Sequence, residues 1–362
     1  MTHGSNVGAS TTLRLPLPDE LPVGTGAVGR ALGAVLERTP VAYGVAMADD
    51  VPARRMLLAW ATPAPDAGAE ALFEPPAGSR IHDRHFVVER VRGDSAALLA
   101  EAVLVSDLLV RQDLAENGTT LDEDPGGALL GVTAFLTGGL SVPVKHREWA
   151  PADPSAAAHQ RWLIGHQRFF VMLQLLASAL SGVDQEAGTA REEAAVREFT
   201  WLCGSATASM RYAADFPPDG YAGVRETMVP PAVNAGFSGL QTRDHQQLVA
   251  VMRALKRGGG LERMAPQSAR AVHAGVSRLY DAHVWVCDRF GGATEPSLLM
   301  AQTRQGADRP ASGQDGETAR PRARAAEASM AGGAAESGVT AARKLADQRL
   351  RQLTPRADAS RK

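Results

Sequence analysis

HQRWLIGHQRFFVMLQLLASAL, residues 159–180, sets the fold class. Trp162, His166, Phe169, Phe170 and Leu173 fall on one side at three- and four-residue spacing, the signature of an α-helix with an apolar face. His159 lies seven residues before His166 on the same side. Pro154, just after Asp153, suits the first turn of this helix, and Gly182 suits its end. The most apolar part, residues 169–180, contains Gln174 and is shorter than the roughly 18 to 20 residues a membrane span needs. The stretch therefore reads as the core helix of a water-facing body.

Working outward, the same periodicity predicts helices over 94–117, 188–213, 243–257 and 267–290. Asn117-Gly118, Gly258 and Gly291 stand where helices commonly stop. Upstream, residues 41–91 carry short apolar runs (VAYGVAM, RMLLAWAT, HFVVERV) broken by Pro, Asp and Gly, which read as a few short strands. Residues 1–20 are rich in Gly, Ser, Thr and Pro and read as a flexible N-terminus. Beyond Pro296 there is no Phe, Tyr or Trp, so residues 297–362 read as a disordered Ala/Arg-rich tail, with room for a short helix over 339–353. The organisation expected is a flexible segment 1–20, an α/β region 21–150 packed on the core, a helical catalytic region 151–296, and the tail. The fold class is mainly α, with a few short strands in the N-terminal part.

Composition narrows the function. The chain has 362 residues, 44% of them hydrophobic, and a formal net charge of −2. From 301 onward it holds 12 Lys/Arg against 7 Asp/Glu, so the rest of the chain is acidic. An acidic body gives no reason to expect a nucleic-acid partner, which needs a clustered basic face. No secretory pattern opens the sequence, and the expected location is the cytoplasm. Two cysteines, Cys203 and Cys287, cannot make a four-thiolate zinc site or an iron–sulfur cluster. Gly24, Gly26 and Gly29 match GxGxxG, with Asp49 about twenty residues on, the outline of a dinucleotide site. The preceding LRLPLPDELPV carries three prolines and two acids, which no central parallel strand would, so the match is set aside.

Chemistry concentrates in PQSARAVHAGVSRLYDAHVWVCDRF, residues 266–290. Val272, Val276, Leu279, His283, Val286, Cys287 and Phe290 share one face. His283 and Cys287 are four apart, so their Cβ atoms stack roughly 5–6 Å apart along the helix. Alone, such a pair is a buried histidine and thiol in a core. If His283 instead ligated a haem iron, the porphyrin would lie across this face, and Cys287 could reach its edge as a thioether. Upstream, Thr242 can cap the helix that holds His245 in its first turn. The positive end of the helix dipole disfavours an imidazolium there, and neutral imidazole is the ligating form. His166, on the apolar stripe of the long helix, is either a core histidine or an acid/base group in a pocket.

The triple His245, His283 and Cys287, with 37 residues between the histidines, resembles the HxnHxxxC haem motif of the haem-dependent tyrosine hydroxylases. These include 3-methyl-L-tyrosine peroxygenases and L-tyrosine 3-hydroxylases of natural-product pathways. The run from Trp201 to Val249 is also similar to that group, and the likeness spans roughly residues 150–292. It implies a helical haem-binding domain of the tryptophan 2,3-dioxygenase superfamily. His283 would be the proximal ligand, His245 the second axial ligand and Cys287 the thioether link. His166-Gln167 is similar to a His-Gln pair on a pocket helix of the dioxygenases, so His166 competes with His245 for the side facing the substrate. The implied reaction adds a hydroxyl ortho to the phenol of 3-methyl-L-tyrosine or L-tyrosine, using hydrogen peroxide, or dioxygen with a reductant. A zwitterionic substrate calls for a guanidinium, and Arg225 and Arg211 are the candidates. Homo-oligomerisation is compatible with this reading. The alternative is a bis-histidine covalent haemoprotein for electron transfer or sensing.

Overall fold

The computed structural model describes residues 11–38, 79–121, 126–139, 147–229, 232–233, 242–291 and 338–354. Strand β1 (Leu13–Pro16) and a 3-10 turn (Pro18–Glu20) lead to helix α1 (Gly26–Arg38). Helix α2 (Ser79–His85) then turns into strand β2 (Val88–Val91). The two strands pair in parallel, Leu13 opposite Val88 and Pro16 opposite Val91. Of the three runs expected as strands, only HFVVERV lies within the described residues.

β1 corrects the expectation of a flexible segment up to residue 20. Leu13, Leu15 and Leu17 alternate with polar or proline positions and are all buried, which is the period of a half-buried strand. The Gly/Ser/Thr-rich residues around it masked that pattern. A 3-10 turn separates β1 from the glycine match, so no strand runs directly into Gly24. Gly24 sits at φ +71° and donates its N–H to the Ser178 carbonyl at 2.8 Å.

The helical body follows: α3 (Ser95–Asn117), the short α4 (Gly126–Leu130) and α5 (Val132–Thr137), α6 (Pro154–Glu186), α7 (Glu192–Ala213), α8 (Tyr221–Thr227), α9 (Arg243–Arg257), the single turn α10 (Gly260–Arg263) and α11 (Pro266–Gly291). Local chemistry sets their ends. Asp94 caps α3, accepting from the Ala96 and Ala97 N–H groups, and Gly118 closes it at φ +73°. Asp153 caps α6 ahead of Pro154. Thr242 caps α9, accepting from the His245 N–H.

α6 is the central helix, packed by α7, α3, α9 and α8. It is long and apolar enough to cross a membrane, but 94% of its most apolar window is buried inside the protein. At Gly165 the α6 and α7 backbones nearly touch, since a Cβ there would lie 2.3 Å from Ala213 Cα. α11 packs against α7 through Gly275, which faces Cys203.

In the tail, the short helix allowed for over 339–353 is present. Helix α12 (Gly338–Leu350) and the turn Arg351–Leu353 pack on α11 and α9, burying Ala342, Ala346 and Leu353. These small apolar residues recur at four- and seven-residue spacing, a stripe hidden by the average composition of the tail. Between α11 and α12 lies a cleft of about 550 Å³, lined by Trp285, Asp281, Asp288, Arg343 and Asp347 among others.

Candidate active site

Four elements bring aromatic and imidazole side chains to one place. From α6 come Trp162, His166 and Phe170; from the α2–β2 turn, Phe86 with His85 beside it; from α8, Tyr221; and from α11, His283, Cys287 and Phe290. Phe86 stacks on the His166 ring with centroids 4.5 Å apart and planes 11° apart. Trp162 covers His166 at 4.3 Å. Tyr221 stacks on Phe290 at 4.3 Å, and Phe290 stacks on Phe216 at 5.0 Å. These rings pack on one another and exclude water.

Burial among these rings decides the protonation states. His166 is pushed down to about 4, first by desolvation and further by the fields of His85 and His283, against the opposing effect of its bond to Trp162. His283, partly buried, is pushed down to about 4 by desolvation. Both are therefore neutral at pH 7. His166 Nδ1 lies 2.8 Å from the Trp162 carbonyl oxygen. A carbonyl only accepts, so Nδ1 carries the hydrogen and Nε2 the lone pair. Cys287 Sγ is 4.0 Å from His283 Nδ1, and burial pushes its thiol up to about 11, so it stays protonated. Cys203 differs: fully buried between α7 and α11, it is raised further and packs as core.

Trp162 thus links His166 to Phe290 of α11, and His283 and Cys287 stand one turn apart on that helix. His245 is placed differently. It is buried in the first turn of α9, and its Nε2 lies 3.0 Å from the Tyr280 hydroxyl. Tyr280 precedes His283 by three residues on α11, so His245 lies along the same helix as the His166–His283 group, with its ring engaged by a neighbouring side chain. Among the described residues no group of three or more His, Cys, Asp or Glu gathers in metal-binding geometry.

The two arginines separate as well. Arg225 lies on α8 and acts electrostatically on Tyr221, which is itself influenced by Cys287. Arg211 stacks its guanidinium over Trp285 at 5.7 Å. Trp285 is two residues from His283, about 200° around the helix, so Arg211 sits on the opposite face of α11. Gln167 does not accompany His166 into the pocket. Its Nε2 donates to the carbonyls of Phe86 (2.9 Å) and Thr11 (3.1 Å) and bolts the α2–β2 turn to α6.

Several contributors went unread in the sequence. His82, His85 and Phe86 sit in the run IHDRHFVV, whose two histidines at i, i+3 on a short helix were the available signal. Asp244 and Arg90 carried none, because their pairing spans 154 residues. Arg90 donates to both Asp244 oxygens (2.8 and 2.7 Å) and both Asp83 oxygens (3.1 and 2.6 Å), while Gln174 donates to Asp244 at 2.8 Å. This buried cluster fixes the start of α9, and with it the backbone of His245.

A helical body that buries neutral imidazoles, aromatic rings and one thiol together offers the donor atoms and apolar surroundings that redox cofactors use. Comparison with known proteins makes this particular. Residues 14–282 match the family described as SfmD 3-methyl-L-tyrosine peroxygenase, and the chain belongs to that family, a group of oxidoreductases. A 3-methyl-L-tyrosine peroxygenase of Streptomyces lavendulae is 28% identical over 253 residues, covering 65% of this chain and 69% of its own length. The crystal structure of reduced SfmD, soaked with sodium hydrosulfite, shares the fold: TM-score 0.57, 24% identity, 77% of this chain and 97% of that one.

Proposed function

We propose that this chain is a haem-dependent hydroxylase that places a hydroxyl ortho to the phenol of 3-methyl-L-tyrosine or L-tyrosine. The observation that carries it is a pair of histidines held neutral, His166 against Trp162 and His283 on the helix whose Phe290 meets Trp162, with the Cys287 thiol 4.0 Å from His283 Nδ1. The donor set fits a haem: neutral imidazole is the form that ligates iron, and flat apolar rings suit a flat apolar macrocycle. His283 and His245 would hold the iron, and Cys287 would tether the ring through one thioether. Haem, when bound, supplies the oxidising chemistry. The name of the Streptomyces relative, a peroxygenase, favours hydrogen peroxide as the oxygen source.

The chain's own residues do the rest. His166, with Nδ1–H fixed on a backbone carbonyl, presents Nε2 as the atom that takes up and returns one proton. Trp162, Tyr221 and Phe290 form a wall on which a phenol ring can stack while water is kept out. Arg225, beside Tyr221, is better placed than Arg211 to pair with the substrate carboxylate.

The test has two parts. Haem-loaded wild-type protein extracted with acidified acetone should keep its colour, and Cys287→Ala should release it. Supplied with hydrogen peroxide, the same preparation should convert 3-methyl-L-tyrosine or L-tyrosine to a catechol, read by mass spectrometry. A haem-loaded chain that oxidises neither amino acid with peroxide or with dioxygen and reductant would overturn the reading.

A further inference from the structure

His245 is held in its backbone and engaged in its ring. Thr242 caps its helix, and Asp244, next to it in the chain, is anchored by Arg90 and Gln174. With the main chain held, the ring can change partners only by rotating its side chain. Its Nε2 lies 3.0 Å from the Tyr280 hydroxyl, with the two rings edge to face at 83°. Tyr280 is itself buried, on the α11 stripe that continues one turn on to His283 and two turns on to Cys287.

Nε2 has a single site outside the ring plane's carbons, occupied by either a hydrogen or a lone pair. If the phenol donates to the lone pair, that lone pair is not available to a metal. If Nε2–H donates to the phenol oxygen, the proton must leave before a metal can bind. The bond to Tyr280 and a bond to iron therefore exclude each other. Resting on the reading of His245 as an axial ligand, we propose that Tyr280 is a positioning residue that holds His245 Nε2 away from the iron and competes with the metal for that nitrogen. Tyr280 thereby sets how readily the sixth coordination position opens to a small ligand. The pair is a latch with two resting places for one imidazole.

Three haem-loaded proteins decide this: wild type, Tyr280→Phe and His245→Ala. The readouts are the low-spin fraction by electron paramagnetic resonance and the affinity for cyanide by optical titration. Tyr280→Phe keeps the buried ring and removes only the competing hydroxyl. It should raise the low-spin fraction and weaken cyanide binding by about 3- to 10-fold, the effect of one neutral hydrogen bond. His245→Ala should lower the low-spin fraction and strengthen cyanide binding. If His245→Ala behaves so while Tyr280→Phe matches wild type, the latch is wrong and the ligand reading stands. If His245→Ala leaves the spectrum unchanged, the ligand reading falls and takes the latch with it. Should Tyr280→Phe fail to load haem, the ring nitrogens of His245 in the cofactor-free chain provide the check. Their ¹⁵N shifts must differ between wild type and Tyr280→Phe, and identical shifts would overturn the proposal.

Discussion

Arg161 and His166 leave the same helix five residues apart, and both are buried, yet the protein treats them oppositely. Arg161 keeps its charge. Its Nε donates to Asp113 at 2.7 Å, one terminal nitrogen to Asp215 at 3.0 Å, and the other to the Gly118 carbonyl at 2.6 Å. Tyr212 adds a bond to the same Asp113 at 2.6 Å. The arginine is held above its ordinary pKa, because two carboxylates outweigh its desolvation. His166 receives one backbone carbonyl and otherwise rings, and its proton is lost. Burial therefore does not by itself decide charge here; the partners do. The arginine side of α6 is finished structure, with its hydrogen-bonding groups matched to acceptors. The histidine side is left neutral, with the His166 Nε2 lone pair unprotonated at pH 7, which is the form that ligates a metal.

The contrast breaks most visibly at the arginine. Arg161→Met strands Asp113 and Asp215 in the core and should cost about 3–5 kcal/mol, the usual loss when one partner of a buried ion pair is removed. Denaturant titration of the cofactor-free chain measures it, and a loss below about 1 kcal/mol would mean water replaces the guanidinium. The histidine side shows itself in acid. The unfolded chain takes protons on histidine near pH 6.5, whereas folded His166 stays neutral down to about 4. The unfolded state thus binds more protons in this window, so stability falls as pH drops from 6.5 to 4 and is unaffected by this group above it. The slope per histidine is about 1.4 kcal/mol per pH unit. His166→Gln should flatten the dependence by one proton's worth, and an unchanged slope would mean His166 titrates normally.

The two sides also differed in how far the sequence revealed them. Helical periodicity exposed α3, α9 and α11 almost to the residue, because apolar spacing is a local property, whereas α6 runs on past the expected stop at Gly182 to Glu186. The start of α9 at Thr242 and its close at Gly258 were legible for the same reason. His283 and Cys287 could be paired, since four residues on a helix make neighbours. What joined His166 to His283 was not legible from spacing, because 117 positions separate them and only the packing of α6, α8 and α11 brings them together. The same holds for Asp113 with Arg161 and for Asp244 with Arg90, where each residue alone looks like surface charge. Gln167 was misplaced for a subtler reason. It adjoins His166 in the chain, but a helix turns about 100° per residue, and that step sends it to the strands.

That step also locates the mildest way to test the boundary between the two sides. Gln167 holds a turn in which Val87 adopts φ +52°, among the described residues the one non-glycine position with positive φ. A β-branched side chain there carries strain of about 1–3 kcal/mol. The turn presents Phe86 to the face of His166, so the strain positions a wall of the pocket. Val87→Gly removes the steric conflict but gives the unfolded chain extra freedom, which costs about 0.5–1 kcal/mol. The expected net is a gain of up to about 1 kcal/mol, with the His166 ring still titrating well below 6.5 by NMR, because Gln167 continues to grip the Phe86 carbonyl. A loss of stability with a rise of the His166 titration toward its ordinary value would show that the valine side chain, and not the glutamine, keeps the aromatic wall in place.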